Sequence, residues 1–154
     1  MVLNTVLGID PGITTGYAIV QGPHDSPAWF TLPKVGSVRI TKVGKKYVFD
    51  KFYELLDALP WDKLTHVVCE DFIMRPGFRE QNWTSLETAK MIGMVMRECH
   101  THSTPCIIQQ PNLKRVGERL SGLKRKSDSD PTRHYIDAAN HGVTFIHSMR
   151  GQNV

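Results

Sequence analysis

Residues 8–20, GIDPGITTGYAIV, decide how this chain folds. The apolar run Val6-Leu7-Gly8-Ile9 ends on an acid, Asp10, turns through Pro11-Gly12 and resumes as a second β-like run from Thr15 to Val20. Two such runs around a Pro-Gly turn read as paired strands over 3–10 and 14–20, and a third strand is expected within 28–40, making an antiparallel meander. A carboxylate at the end of a buried strand costs free energy unless something pairs with it. On its own, an Asp before Pro-Gly is an ordinary turn residue. Its meaning depends on what the rest of the chain brings to it.

Beyond the meander the pattern alternates. Val48, Phe52, Leu55, Leu56 and Leu59 recur at helical spacing, and Pro60 closes that helix. THVVCED, residues 65–71, is a short apolar strand ending in acids. Thr84 with Glu87 three residues on fits a capping box for a helix through about Glu98, apolar on more than one face. PCIIQQ, residues 105–110, reads as a strand, and 131–148 as a last helix striped by Ile136, Ala139, Val143 and Ile146. The expected architecture is a single α/β domain over 1–154. Its mixed sheet would hold a meander followed by parallel strands, flanked by helices.

With 154 residues the chain can bury a sizeable core without staples. Cys69, Cys99 and Cys106 are odd in number and irregular in spacing, which argues for free thiols and a reducing compartment. Cys99, His100, His102 and Cys106 lack the usual zinc-ligand spacing. No apolar run has the length of a membrane span and the N-terminus does not resemble a signal peptide, so a cytoplasmic location is expected, in the host cell if the protein is viral. Net charge is +4, and its distribution is informative: Lys114, Arg115, Arg119, Lys124, Arg125, Lys126 and Arg133 face only Glu118, Asp128 and Asp130 between Pro111 and Arg133. Such a run is either a solvated loop or a footprint for phosphates.

The acids fall into an order. Asp10 ends the first strand, Glu70 with Asp71 beside it ends a later one, and Asp137 lies on the last helix. If the Glu70 strand runs parallel to the first, both carboxylates emerge at the sheet edge where α/β proteins build their sites. His134, Asp137 and His141 form a polar stripe at i, i+3, i+7, with Asp130 one turn earlier. Converging carboxylates repel one another and neutralise unless a cation joins them. An oxygen-rich, sulfur-free set suits Mg²⁺, with Mn²⁺ as a substitute, and two such ions about 4 Å apart serve in-line attack on a phosphodiester.

GIDPGITTGYAIV, HVVCEDF, CIIQQPNLKRVG and HYIDAANHG together resemble the RuvC-type Holliday-junction resolvases of the RNase H-like superfamily, in a short form similar to the bacteriophage members. The resemblance spans nearly the whole chain. It implies an RNase H-like fold and a divalent-metal-dependent endonuclease that cuts four-way DNA junctions, and other branched DNA, by paired nicks. By that resemblance Asp10, Glu70 and Asp137 are catalytic metal-binding carboxylates, and His134 is the fourth site residue. Lys114 stands on the DNA-facing segment, with Arg115, Lys124, Arg125 and Lys126 near it. A base-stacking aromatic is implied in the loop after Glu70, where Phe72, Phe78 and Trp83 compete and Phe78, between Gly77 and Arg79, is preferred. RLSGLKRKSDSD, residues 119–130, departs from the Gly-rich stretch of the cellular enzymes.

Partner expectations follow: branched DNA and a homodimer, with no membrane and no nucleotide cofactor. A two-fold junction is most simply cut by a C₂ pair, and the surplus apolar face of residues 86–96, with Met91, Met94 or Val95, is the expected interface. The first turn also resembles that of actin-like ATPases and sugar kinases, which need a chain more than twice as long. The alternatives are a YqgF-type nuclease acting on structured RNA, whose later motifs are not visible here, and a non-catalytic nucleic-acid-binding module.

Overall fold

β1 (Leu3–Asp10) and β2 (Thr14–Pro23) flank the Pro11-Gly12 turn and pair antiparallel, Asp10 opposite Gly16. β3 (Thr31–Arg39) adds antiparallel to β2, completing the meander. The computed structural model describes residues 2–25, 29–73 and 82–151. A short ribbon, β4 (Thr41–Val43) and β5 (Lys46–Val48), comes next, then α1 (Asp50–Ala58) and β6 (His66–Glu70). α2 (Asn82–Thr101), β7 (Cys106–Gln109), α3 (Lys114–Ser121) and α4 (Arg133–Ser148) complete the order. β6 lies parallel to β1, and β7 parallel to β6, so the five-stranded sheet runs β3-β2-β1-β6-β7. This is the mixed α/β architecture that the sequence predicts.

Strand periodicity sorts the side chains into two cores. Leu7, Ile9, Ile19, Val67 and Cys69 face α1 and α2, meeting Phe52, Leu56, Met91, Ile92 and Val95. Val6, Ala18, Val20 and Val68 face the other way, onto Ala138, Ala139, Val143 and Ile146 of α4. Residues two apart share a face, so Asp10 follows Gly8, and Glu70 follows Val68, onto the α4 side. At Gly8 a Cβ would lie 1.9 Å from the Ala138 carbonyl oxygen, and at Gly16 one would lie 2.0 Å from the His134 carbonyl. Only glycine there lets α4 rest directly on the strands.

The structure departs from the sequence-based expectations in four places. Val48 belongs to the ribbon rather than to the first helix, because the 46–48 backbone pairs with 41–43. The basic segment contains α3, which ends at Gly122 (φ 73), whose N–H donates to the Glu118 carbonyl at 2.9 Å. α2 begins at Asn82, placing Thr84 inside the helix instead of at its cap. Met91 and Val95 are fully buried against the sheet, so neither can form a subunit interface; Met94 is half-buried, and among the described side chains of that helix Leu86 and Met96 are the exposed large apolar ones. Its second apolar face is therefore smaller than composition implies. Among the described residues no helix is long and apolar enough to cross a membrane, and the three cysteines are free.

Candidate functional site

Because β1, β6 and β7 are parallel, Asp10, Glu70 and Gln109 end at one sheet edge, and α4 crosses above them. Asp10, Glu70 and Lys114 line a cleft of about 670 Å³ together with Asp71, Phe72 and Gln110. Lys114 enters from the start of α3. Its Nζ donates to Asp137 Oδ2 at 2.9 Å and to Glu70 Oε2 at 3.5 Å. Arg125 Nη1 stands 3.9 Å from the same Asp137 oxygen. His134 Nδ1 lies 3.9 Å from Asp10 Oδ2, an ion-pair distance rather than a hydrogen bond.

Glu70 is held from a second side. His141 has no exposed surface; its Nε2 donates to Glu70 Oε2 at 2.8 Å, and its Nδ1 is hydrogen-bonded with Gln109 Oε1 at 2.5 Å. Glu70 and Gln109 are register partners, so both side chains emerge toward α4, where His141 bridges them. The sequence pattern puts His141 on a polar stripe; that the stripe is buried follows only from α4 lying on the sheet. Gln109 carries no signal of its own, since its role comes from the β6–β7 pairing.

Electrostatics reflect this crowding. Burial pushes the Asp10 carboxyl above its ordinary value of 3.8; His134 pulls against that, the Glu70 charge adds to it, and Lys114 and Asp137 act in opposite directions. Burial also works to raise Glu70, but the His141 hydrogen bond and the Lys114 charge outweigh it and hold the carboxyl below 4.5. Burial opposes the charge on Lys114, yet Glu70, Asp137 and Asp10 together keep its ammonium above 10.5. One site thus contains an acid whose pKa burial raises, another whose pKa its partners lower, and a fixed cation bonded to the second.

The remaining expected residues are distributed as follows. Asp71 is committed to the loop: Oδ1 accepts from Phe72 N–H and Oδ2 from Gln110 Nε2, at 2.8 and 3.1 Å. Asp130 accepts from the Lys126 N–H and from the Thr132 N–H and hydroxyl, which hold its carboxyl at about 2. Arg115, Lys124, Arg125 and Lys126 are exposed. Lys124 stands 3.9 Å from Glu118, and Arg125 3.7 Å from Asp128. Phe78 and the side chain of Trp83 lie outside the described residues. His102 stacks on Trp61, with ring centroids 4.6 Å apart, rather than turning toward the cysteines.

Among the described residues no three His, Cys, Asp or Glu side chains are gathered closely enough to hold a metal ion as they stand. Lys114 stands between two of the three carboxylates instead, balancing charge that a cation would otherwise balance. The donor chemistry nonetheless fits a hard divalent ion, with carboxylate oxygens on two strands and a helix and no sulfur ligand among them.

No family model matches the sequence, and no curated protein matches it. The fold has clear counterparts. Thermus thermophilus RuvC in complex with a Holliday junction substrate superposes with a TM-score of 0.72 at 17% identity, covering 97% of this chain and 96% of that one. A second Thermus thermophilus RuvC structure gives 0.65 at 16% identity, covering 97% of each chain. The fowlpox virus resolvase in complex with Holliday junction DNA gives 0.53 at 17%, covering 94% of this chain and 98% of that one. The chain shares the fold of these structures over nearly its whole length.

Proposed function

We propose that this protein is a divalent-metal-dependent endonuclease that resolves four-way DNA junctions by paired symmetric nicks. The single observation that carries the proposal is the gathering of Asp10, Glu70 and Asp137 at one sheet edge, with the Lys114 ammonium bonded to the latter two, in a fold shared with junction-binding resolvases. Asp10, Glu70, Asp137 and His134 would hold Mg²⁺ or Mn²⁺, two ions per site. Such ions supply an activated water and charge stabilisation for the leaving oxygen. His141, backed by Gln109, fixes the Glu70 carboxylate. Lys114 and Arg125 balance negative charge that would otherwise repel a phosphodiester.

Arg115, Lys124, Arg125 and Lys126 meet backbone phosphates in this proposal, and Phe78 stacks on a base near the branch. The chain acts in the cytoplasm as a C₂ homodimer, one site for each of two opposed strands, with Leu86, Met94 and Met96 of α2 available for the contact. The test compares the parent with Asp10→Asn on synthetic four-way, three-way and linear DNAs, with Mg²⁺, Mn²⁺ or chelator, and on an RNA four-way junction. The substitution keeps the side chain's size but removes its charge. Single-turnover cleavage of the DNA junction falls at least about a thousandfold, roughly 4 kcal/mol of barrier, while affinity measured in chelator holds or rises. A folded Asp10→Asn protein that cleaves within about tenfold of the parent refutes the role, and preference for the RNA junction replaces the substrate.

A further inference from the structure

The β4–β5 ribbon lies outside everything the proposed chemistry uses, and its charge is one-sided. From residue 34 to residue 49 the chain carries Lys34, Arg39, Lys42, Lys45 and Lys46 and no acid, five charges against a net of +4 for the whole protein. All five are exposed. Among the described residues none of them pairs with a carboxylate. The Lys42 ammonium lies 5.6 Å from the Tyr47 ring centroid, and Gly44 makes the turn with φ 60.

Its place in the fold gives this charge a direction. The Ile40 N–H donates to the Ile13 carbonyl at 2.9 Å, tying the base of the ribbon to the turn that follows Asp10. Arg39, opposite Thr14 in the β2–β3 register, lines two surface grooves: one leads to Lys42 and Tyr47, the other to Arg133 and His134. Asp128 and Asp130 also line the second groove, but Asp128 faces Arg125 and Asp130 is engaged by Thr132 and the Lys126 N–H. A surface path therefore runs from the ribbon through Arg39 and Arg133 to the acid cluster, with Asp128 and Asp130 beside it. It approaches from the β3 edge, whereas Lys114 enters the site from the start of α3, just after β7 at the other end of the strand order.

We propose that the β4–β5 ribbon is a phosphate-binding arm that holds duplex DNA on the β3 side of the site, in addition to the grip of residues 114–126. The proposal rests on the nucleic-acid reading above and adds a second contact surface to it. Lysines on a short edge ribbon also block strand-to-strand aggregation, but that purpose requires neither Arg39 nor a groove leading to the site. A duplex presents one phosphate charge about every 1.7 Å of its axis, a density that matches an unpaired cluster of bases.

The experiment uses the full chain with Lys42→Ala, Lys45→Ala and Lys46→Ala combined, and a second variant with Arg at the same three positions. Binding to a four-way junction and to a linear duplex is titrated across salt concentrations in chelator, and parent cleavage is measured separately with Mg²⁺. Each lost phosphate contact flattens the slope of log K against log salt by about 0.9, so the Ala variant should lose about 2 to 3 units on both DNAs and the Arg variant should keep the parent slope. An unchanged slope in the Ala variant overturns the arm, as does an equal loss in the Arg variant. If the parent cleaves junctions while the slope is unchanged, the nuclease reading survives and the arm falls. If the parent does not cleave but the slope drops, the arm stands and the nuclease reading falls.

Discussion

Gly16→Ala tests whether the site is positioned by main-chain contact between α4 and the sheet. An added Cβ would sit 2.0 Å from both the carbonyl carbon and oxygen of His134 and 2.6 Å from the Tyr135 nitrogen, where ordinary contact begins at 3.4 Å. The first turn of α4 must therefore retreat by about 1.4 Å, because the obstacle is backbone and cannot rotate away. His134 rides on that turn beside Asp10, and Asp137 follows it directly, against Lys114. A misplacement of about 1 Å in a catalytic constellation can cost about a hundredfold in rate. Forced overpacking costs about 1–3 kcal/mol, which a domain worth about 5–15 kcal/mol survives. Single-turnover cleavage of a four-way junction at saturating protein should thus slow about a hundredfold, with a matching loss of stability in urea. Gly93→Ala is the control: nothing lies within 4 Å of its Cβ in the middle of α2, so it should be neutral or gain up to about 1 kcal/mol. Gly16→Ala protein that cleaves within threefold of the parent, with the parent's urea midpoint, would refute this account of the seam.

In chelator, Asp10→Asn should be more stable than the parent at pH 7. A carboxyl whose folded pKa lies above its unfolded 3.8 costs stability as pH rises through that window, so the advantage should shrink as pH falls toward 4; urea midpoints across pH check it, and a less stable Asn variant at pH 7 contradicts it. His141→Leu removes the groups that satisfy Glu70 Oε2 and Gln109 Oε1 and should destabilise by about 1–3 kcal/mol in urea, whereas no loss would mean that the trio is not a bonded unit. Lys114→Met should raise the Glu70 pKa, read from a carbon-13 titration of its side-chain carboxyl; an unmoved or lowered value would show that the ammonium does not hold that charge in solution.

The parts of the fold visible in the sequence are those set by local patterning. Asp10-Pro11-Gly12 between two apolar runs specifies the first hairpin, and the stripe Ile136, Ala139, Val143, Ile146 specifies a helix with one buried face. Strand ends at Asp10 and Glu70 were legible because acids interrupt apolar runs there, and the two-residue period then carries both onto the α4 side. What sequence could not supply depends on neighbours distant along the chain. Met91 and Val95 look like spare apolar surface until α1 and the sheet cover them. The resemblance singles out Lys114 as a DNA-facing lysine, but only α3 turning its Nζ between Glu70 and Asp137 shows that it pairs with the acids. The ribbon escaped notice because each of its strands has only three residues, too few for a period, and Val48 sits in register with the helix that follows.

The ammonium of Lys114 also bears on how the molecule comes into being. Clusters of ligands without a counter-charge of their own often cannot assemble until a metal arrives, so that folding and loading become one event and chelators denature the protein. Here two of the three acids already have a cationic partner supplied by the chain, and the cores on either side of the sheet close without reference to the cleft. Synthesis, storage and activation are separable for such a protein. Under the proposed metal chemistry the protein should keep its melting temperature in a metal-free medium, and it should allow the ion to be added, withdrawn and returned without a cycle of refolding; a melting temperature that drops in chelator would contradict this.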